Sequence, residues 1–195
     1  RLRKSSSNPS LTAGNGCYSL AGAEYGVYVD APCTLQAGTF TTNEAGESDS
    51  VELAAGDYWV KEIQAPTGYR RNETVYPIHV NAGEETQVQV SDVPKYAPGE
   101  LRLMKMDSET QEGLPQGNAA FAGTQFTVKY YNGYYDKDSL PRTPVRTWVL
   151  QVRKMEDPDG GPSGYRAALD ERHKVSGDDF YMQDGNAVLP FGRVT

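Results

Sequence analysis

The strongest constraint on the fold is an internal repeat in the sequence. Lys4 ends a short strand-like run and is followed 18 residues later by Gly22, and Lys105 is followed at the same distance by Gly123. In both copies the glycine leads into a strand-like segment that contains aromatic residues. A pattern that recurs at fixed spacing indicates a duplicated structural unit. The sequence therefore predicts two related modules in series.

A second pair of anchors sets the sizes of the two modules. Residues 53–56 match residues 189–192, since both segments begin with Leu and end with Gly. We predict a first module over residues 1–95 and a second over residues 99–195, with a Pro- and Gly-containing junction between them. The second module is longer between its anchors by about 35 residues, which we assign to the segment 134–180.

The composition favours an all-β fold. The chain contains 20 Gly, 12 Pro and 13 Tyr, and turn residues repeatedly interrupt short apolar runs. Apolar residues at helical spacing form no continuous stripe in any segment. Short strands between frequent turns are typical of antiparallel sandwiches. We therefore expect each module to be a small antiparallel β-sandwich.

Charge and hydropathy exclude two classes of partner. The net charge is −7 and the sequence pI is about 4.9, so the backbone of a nucleic acid would be repelled. No apolar run approaches the roughly 20 residues that span a bilayer, and the chain does not begin with a charged-then-apolar leader. We predict no nucleic-acid partner, no membrane contact by these modules and no cofactor.

The two cysteines leave two interpretations open. Cys17 and Cys33 lie in the same module and could form a disulfide across adjacent loops in an oxidising compartment, whereas in the cytosol they would be separate thiols. His79 and His173 are the histidines, and neither lies at metal-ligand spacing from a cysteine. The sequence therefore predicts no metal site.

Three ionisable residues fall on the apolar face of predicted strands. Alternate residues of a strand point to opposite faces, so residues two apart share a face. The pairs that share a face are Leu2 and Lys4, Val60 and Glu62, and Val90 and Asp92. One such residue alone would indicate a strand end that reaches solvent, because charged side chains are rarely buried. Three in one module favour a buried charged cluster.

A buried cluster of Lys4, Glu62 and Asp92 could react with itself. Burial favours the neutral forms of all three side chains. A neutral Lys4 amine is a nucleophile that could attack the protonated Asp92 carboxyl, expel water and leave an amide, and a folded core would hold the two groups together. Glu62 would relay protons and hydrogen-bond the carbonyl oxygen as charge develops on it. We therefore predict a Lys4–Asp92 cross-link that Glu62 promotes.

Residues 62–69 read Glu-Ile-Gln-Ala-Pro-Thr-Gly-Tyr. This segment resembles the Glu-x-x-Ala-Pro-x-Gly-Tyr signature of Cna B-type (SpaA-like, prealbumin-like) domains of Gram-positive pilins and cell-wall adhesins, and residues 20–25, 41–46 and 53–58 strengthen the resemblance. The resemblance implies tandem Ig-like, prealbumin-like β-sandwiches with an isopeptide bond from a first-strand lysine to a last-strand Asn or Asp, promoted by a glutamate. The residues at these positions are Lys4, Asp92 and Glu62. Asp in place of the usual Asn means that water would leave rather than ammonia.

The second module resembles the family less completely. Lys105 and residues 122–126 and 189–192 match, but the position equivalent to Glu62 would lie beyond Thr195. Lys105 is therefore predicted to be an isopeptide lysine without its partners. We expect a truncated module that lacks its C-terminal strands. The alternative is that a partner chain supplies those strands.

A cluster of tyrosines surrounds the Asn132-Gly133 dipeptide of the second module. Its members are Tyr130, Tyr131, Tyr134 and Tyr135. Exposed aromatic side chains could contact a sugar or a host protein. Asn-Gly between aromatic segments is also a strong signal for a tight β-hairpin, which would pair the tyrosines across two strands. The hairpin is the preferred prediction, and it does not exclude a ligand contact.

These features predict a structural stalk or adhesin module of a Gram-positive cell-surface or pilus protein, stabilised by the Lys4–Asp92 bond. Catalysis on an external substrate is not expected, because no activating motif accompanies the two histidines. We expect an extracellular location, cell-wall anchoring through regions outside this chain, and other modules of the same protein as partners. The alternative is a ligand-binding adhesin module whose second-module insertion recognises a glycan or a host extracellular-matrix protein.

Overall fold

The computed structural model describes residues 1–97, 103–113, 115–117, 119–155 and 164–195. The chain divides into two compact units, Arg1–Lys95 and Tyr96–Thr195. Strands dominate both units, and the helical elements of the described residues are the short helix α1 (Pro9–Thr12) and a 3-10 turn at Lys137–Ser139. The predicted all-β class is confirmed.

The first unit contains six strands in two sheets. They are β1 (Leu2–Ser6), β2 (Glu24–Tyr28), β3 (Gln36–Thr41), β4 (Gly56–Gln64), β5 (Val75–Val80) and β6 (Val88–Asp92). Four of them form an antiparallel sheet in the order β3-β2-β4-β5. The other two, β1 and β6, run parallel, with Leu2 opposite Val88 and Ser6 opposite Asp92. The first and last strands of the unit are therefore direct neighbours.

One hydrophobic core joins the two sheets of the first unit. Its larger buried members are Leu2, Tyr25, Val27, Phe40, Tyr58, Val60, Val88 and Val90. Val27 and Val60 are fully buried and lie opposite each other on β2 and β4. Complete burial of such a side chain contributes about 1.5–3 kcal/mol. These contacts fix which face of each strand points inward.

The two repeat glycines occupy equivalent places in the backbone. Gly22 and Gly123 have φ angles of 79° and 88°, and each lies two residues before a strand. The amide of Gly22 donates to the carbonyl of Thr42 at 2.8 Å, and the amide of Gly123 donates to the carbonyl of Val152 at 2.9 Å. Glycine adopts this left-handed conformation without the steric cost of a side chain. The spacing detected in the sequence thus corresponds to one backbone motif present in both units.

The second unit repeats part of this strand order. Its strands are β7 (Tyr96–Ala97), β8 (Leu103–Met104), β9 (Gln125–Tyr131), β10 (Arg146–Gln151), β11 (Arg153–Met155), β12 (Gly164–Ala167), β13 (Lys174–Gly177), β14 (Tyr181–Gln183), β15 (Asn186–Pro190) and β16 (Arg193–Val194). The described strands pair as β13-β10-β9-β16, β11-β12-β8 and β14-β15-β7. Strand β9 pairs with β10 and β16, as β2 pairs with β3 and β4 in the first unit.

The prediction of a tight β-hairpin with its turn at Asn132-Gly133 is wrong. Strand β9 instead pairs with β10, and the connection between them spans residues 132–145. The physical reason is burial, because Trp148 and Leu150 of β10 are fully buried whereas residues 136–139 are exposed. Strand β10 therefore lies inside the segment predicted to be an insertion, and β11, β12 and β13 follow it.

The insertion predicted at 134–180 is thus not one appended loop, since it includes paired strands of two sheets. Its residues 156–163 lie outside the described residues. Strand β13 adds an edge to the sheet that contains β9 and β10. The extra length of the second module therefore extends its sheets as well as its loops.

Of the two interpretations that the sequence left open for the cysteines, the structure has the separate thiols. Cys17 and Cys33 are not bonded to each other. Cys17 is buried in the segment between α1 and β2, whereas Cys33 lies in a turn between β2 and β3 and has a φ angle of 56°. The two residues are therefore held by separate connections, each with its own local hydrogen bonds, such as that from Leu35 N to Asp30 Oδ1 at 2.8 Å in the second.

Replacement of Gly68 by Ala should destabilise the first unit more than replacement of Gly83 by Ala. Both glycines have positive φ angles, 87° and 74°. A Cβ at position 68 would lie 2.5 Å from Tyr18 Cδ1, whereas a Cβ at position 83 would have no neighbour within 4 Å. We expect a loss of about 1–2 kcal/mol for Gly83→Ala and a further loss of about 1–3 kcal/mol for Gly68→Ala. Denaturant unfolding measures both, and equal losses would contradict the predicted clash.

Candidate functional site

Strand alternation in the first unit brings three charged residues to the inner face. Buried and exposed residues alternate along β1, β4 and β6, with Leu2, Val60 and Val90 pointing into the core. Lys4, Glu62 and Asp92 continue these inward rows and are only 2%, 2% and 1% exposed. Charged groups are almost never buried to this degree unless they are paired. The structure thus brings together the three residues that strand alternation predicted to lie on the apolar face.

The Lys4 amine lies at the centre of the cluster. Its Nζ is 2.5 Å from Asp92 Oδ2, 2.8 Å from Glu62 Oε1 and 2.6 Å from the hydroxyl oxygen of Tyr25. All three charged side chains are completely inaccessible to solvent. The amine is therefore surrounded by one phenol and two carboxyl groups in a dry interior.

The Asp92 carboxyl makes two different kinds of contact. Its Oδ1 is 3.4 Å from the Tyr25 hydroxyl, which donates to it. Its Oδ2 lies 2.5 Å from Lys4 Nζ, and the two groups form a buried ion pair. The amine and the carboxyl are thus held in direct contact, which is the first requirement for groups that react with each other.

The Glu62 carboxylate is fixed from both sides. Its Oε1 accepts from Lys4, and its Oε2 accepts from the backbone amide of Asn72 at 2.5 Å. The Asn72 side chain in turn donates to the Tyr76 hydroxyl at 2.9 Å and to the Ser91 carbonyl at 3.1 Å. Asn72 therefore connects Glu62 to β5 and to the residue before Asp92, and it holds the carboxylate toward the amine.

The environment of the site shifts the pKa values of two side chains, Asp92 and Tyr25. Burial raises the pKa of Asp92 to about 6, an effect that the nearby Lys4 ammonium opposes and the negative charge of Glu62 reinforces. Burial also raises the pKa of Tyr25, and the negative charges of Asp92 and Glu62 raise it further. Removal from water disfavours a charged carboxylate or phenolate. The site therefore keeps a fraction of Asp92 protonated near neutral pH, and it keeps the phenol neutral.

Two residues of the site, Tyr25 and Asn72, were not predicted from the sequence. Tyr25 lies on β2 directly opposite Glu62 of β4. Its inward direction could have been found from its alternation with Ala23 and Val27, which are also fully buried. Its pairing with Glu62 could not have been found in this way, because the pairing depends on the register between β2 and β4. Asn72 acts mainly through its backbone amide, which carries no side-chain signal.

Lys105 resembles Lys4 in its local setting. It directly follows β8, and its Nζ lies 5.8 Å from the ring centroid of Phe121, whereas Lys4 Nζ lies 4.8 Å from that of Tyr25. Lys105 is half-buried rather than fully buried. Its assignment as an isopeptide lysine without partners stays a prediction.

The tyrosine cluster of the second unit is not one exposed surface. Tyr130 and Tyr131 are buried, at 0% and 5% exposure, so the prediction that they contact a ligand is wrong. Tyr130 packs edge-to-face on Tyr181 at 5.4 Å, because strand alternation and register place it in the interior. Tyr134 is exposed and Tyr135 is half-buried, and a ligand contact by these two stays a prediction.

None of the helices among the described residues has the length and apolar character needed to cross a membrane. Within the same described ranges, no group of three or more His, Cys, Asp and Glu side chains could hold a metal ion. His173 is buried, and its Nδ1 lies 2.8 Å from Asp170 Oδ1, so it belongs to a local pair in the second unit.

A family model identifies the class of the first unit. Residues 12–94 match the SpaA family, described as a prealbumin-like fold domain. The match contains Glu62 and Asp92, while Lys4 precedes it. This match over most of the first unit confirms the resemblance and the β-sandwich fold inferred from its motifs.

Two solved structures of bacterial proteins are similar to the chain. The Bacillus anthracis TIE protein is 20% identical with a TM-score of 0.48, and the alignment covers 98% of this chain and 30% of that protein. A C-terminal fragment of the pilus adhesin SpaC from Lactobacillus rhamnosus GG is 16% identical with a TM-score of 0.42, and the alignment covers 99% of this chain and 83% of the fragment. The chain thus spans less than a third of the length of the first. No curated protein matches the sequence.

Replacement of Lys4 by Met should reverse the usual effect of acid on stability. The variant keeps two buried carboxyls and loses the cation that lowers the pKa of Asp92. Because the folded pKa lies above the ordinary value of about 3.9, the folded state binds the proton more tightly, and stability falls as pH rises from about 4 through 6. We expect the variant itself to be about 1–3 kcal/mol less stable at pH 8 than at pH 5.

Denaturant unfolding at the two pH values measures this effect. Lys61→Met is the matched control, since Lys61 lies on β4 next to Glu62 but its side chain is 37% exposed. The control should not gain stability when the pH is lowered from 8 to 5 in the way that Lys4→Met does. A Lys4→Met variant whose own stability is the same at both pH values would contradict the pKa shift of Asp92.

Proposed function

We propose that the first unit is a structural module of a bacterial surface or pilus protein, locked by an intramolecular isopeptide bond between Lys4 and Asp92. The single observation that carries this proposal is the 2.5 Å contact between Lys4 Nζ and Asp92 Oδ2 in a site without solvent access. The SpaA match of residues 12–94 supports the same class of module.

The contacts of the site support an autocatalytic condensation. Glu62 Oε1 takes one proton from the Lys4 ammonium and leaves a neutral amine, which attacks the carboxyl carbon of protonated Asp92. A bond forms between Nζ and that carbon, and one carbon–oxygen bond of Asp92 breaks. The departing oxygen leaves as water with the carboxyl proton and a second proton from Nζ. Protonated Glu62 remains beside the new amide and can donate to its carbonyl oxygen.

The folded core supplies what an amine and a carboxylic acid lack in water. The reacting groups are held within contact distance, which replaces a bimolecular encounter. The raised pKa of Asp92 keeps a fraction of the carboxyl protonated, so that water rather than an oxide ion departs. No external substrate takes part, so the chemistry is directed only at the protein itself.

The position of the bond suits a load-bearing module. It would join β1 to β6, the first and last strands of the unit, which already pair in parallel. A pull that enters before Lys4 and leaves after Asp92 would pass through the covalent bond and bypass the strands between them. The cross-link would also restrict the unfolded chain, as a disulfide does, and so increase resistance to heat and proteases.

This role implies a place outside the cell. We propose that the module lies on the surface of a Gram-positive bacterium, anchored to the cell wall through other parts of a longer protein. Its partners would be further modules of that protein. The long connections of the second unit leave room for a ligand, but the burial of Tyr130 and Tyr131 removes half of the aromatic surface that suggested one. The structural role is therefore the function we favour.

Intact-protein mass spectrometry under denaturing and reducing conditions should show that the purified chain is lighter than its sequence by one water. The Glu62→Ala variant should fold but keep its full sequence mass, because the carboxylate that takes the proton from Lys4 Nζ is removed. Circular dichroism verifies the fold.

The Asp92→Asn variant is the matched control for the leaving group. It should form the same cross-link and lose one ammonia instead of one water, because the amide nitrogen departs. A wild-type chain that keeps its full sequence mass would contradict the proposed function. A Glu62→Ala variant that cross-links normally would remove Glu62 from the mechanism but leave the bond itself in place.

A further inference from the structure

The Tyr25 hydroxyl contacts both of the side chains that would react. Tyr25 is completely buried on β2. Lys4 Nζ donates to its oxygen at 2.6 Å, and its hydroxyl donates to Asp92 Oδ1 at 3.4 Å. The hydrogen bonds thus run in one direction, from the amine nitrogen through the phenol to a carboxyl oxygen. A proton can move along such a chain when each group passes its own proton to the next.

The two Asp92 oxygens differ in a way that fits this direction. Oδ1 receives the Tyr25 hydrogen bond, whereas Oδ2 lies 2.5 Å from Lys4 Nζ. A departing oxygen must be protonated before its bond to carbon breaks, and the oxygen that stays must accept the developing carbonyl charge. The contacts therefore suit Oδ1 as the oxygen that leaves and Oδ2 as the oxygen of the new amide.

We propose that Tyr25 is a catalytic residue of the Lys4–Asp92 condensation, and that its hydroxyl transfers a proton from Nζ to the departing Oδ1. This inference rests on the proposed cross-linking reaction and assigns a step that Glu62 does not perform. Glu62 removes the first proton from the ammonium. Tyr25 removes the second as the bond to carbon forms.

The step balances in atoms and charge. The Lys4 ammonium has three protons, of which one goes to Glu62, one goes through Tyr25 to Oδ1 and one stays on the amide nitrogen. Oδ1 leaves as water with the relayed proton and the proton of the Asp92 carboxyl. Tyr25 gives its own proton and receives one from Nζ, so it is unchanged at the end. The charges of the ammonium and of Glu62 cancel when the first proton moves.

The surroundings of Tyr25 keep its hydroxyl able to donate. Its raised pKa, caused by burial and by the charges of Asp92 and Glu62, keeps the phenol protonated at neutral pH. The ring has a separate role, since Lys4 Nζ lies 4.8 Å from its centroid and the ring belongs to the hydrophobic core. Phenylalanine would keep the ring and remove the proton path, so the two roles can be separated.

The experiment compares the rate of cross-linking in the full chain and its Tyr25→Phe variant. Each chain is made by cell-free synthesis, samples are quenched in denaturing acid over time, and intact mass gives the fraction that has lost one water. We expect the variant to fold and to cross-link about 100-fold more slowly, the usual scale of a general acid–base contribution. Tyr58→Phe is the matched control, because Tyr58 is a buried core tyrosine whose hydroxyl donates to Ala54 O at 3.0 Å.

A fluorinated tyrosine at position 25 provides a second measurement that a purely packing role would not affect. It keeps the ring and the hydroxyl but makes the proton more acidic, so the cross-linking rate at a fixed pH should change, whereas a packing role would leave this rate unchanged. Cross-linking of Tyr25→Phe at the wild-type rate, or an unchanged rate with fluorotyrosine, would overturn the role of Tyr25. If the wild-type chain itself never loses water, the proposed function fails instead, and the two failures are distinguishable.

Discussion

The first unit depends on one ammonium and two carboxyl groups that are buried together between its two sheets. Lys4, Glu62 and Asp92 come from three different strands, and each is almost completely removed from solvent. Such a cluster is costly to bury, and the mutual attraction of its members offsets that cost only when the geometry is good. The rest of the unit can be understood as the support that holds these three groups in contact.

Several residues of the family signature provide this support at a distance. Gly46 has a φ angle of 77°, and its carbonyl accepts from the amide of Lys4 at 2.7 Å. A Cβ at this position would lie 2.3 Å from the Lys4 carbonyl oxygen, so only glycine fits. At the other end, the Gly68 carbonyl accepts from the amide of Lys95 at 2.7 Å, shortly after Asp92. These contacts fix β1 and the end of β6, and so position the reacting pair.

Strand periodicity made the charged cluster predictable, because membership of the cluster depends only on which residues share a face with the core. Lys4, Glu62 and Asp92 could be grouped without knowledge of how the strands pair. Tyr25 could not be added in this way, since its contact with the cluster requires the register of β2 against β4. Asn72 was also missed, because it reaches Glu62 through a backbone amide in an irregular segment. The site therefore contains more hydrogen bonds than strand alternation alone could predict.

The second unit departs from its predicted structure because the burial of apolar residues outweighs local turn chemistry. Asn-Gly is a favourable hairpin turn, but the residues after it are polar and offer no apolar strand. The buried Trp148 and Leu150 lie further along the chain and form the strand that pairs with β9. The same pairing buries Tyr130, a residue that the sequence offered as a possible ligand contact.

The most direct test of the account is a high-resolution crystal structure of the chain with interpretable density at the site. The account predicts continuous density between Lys4 Nζ and the carboxyl carbon of Asp92, a separation of about 1.3 Å as in any amide, and one oxygen instead of two on Asp92. Separate side chains at hydrogen-bonding distance, with both Asp92 oxygens in place, would contradict it. In that case the cluster would be a buried ion pair and not the site of a covalent bond.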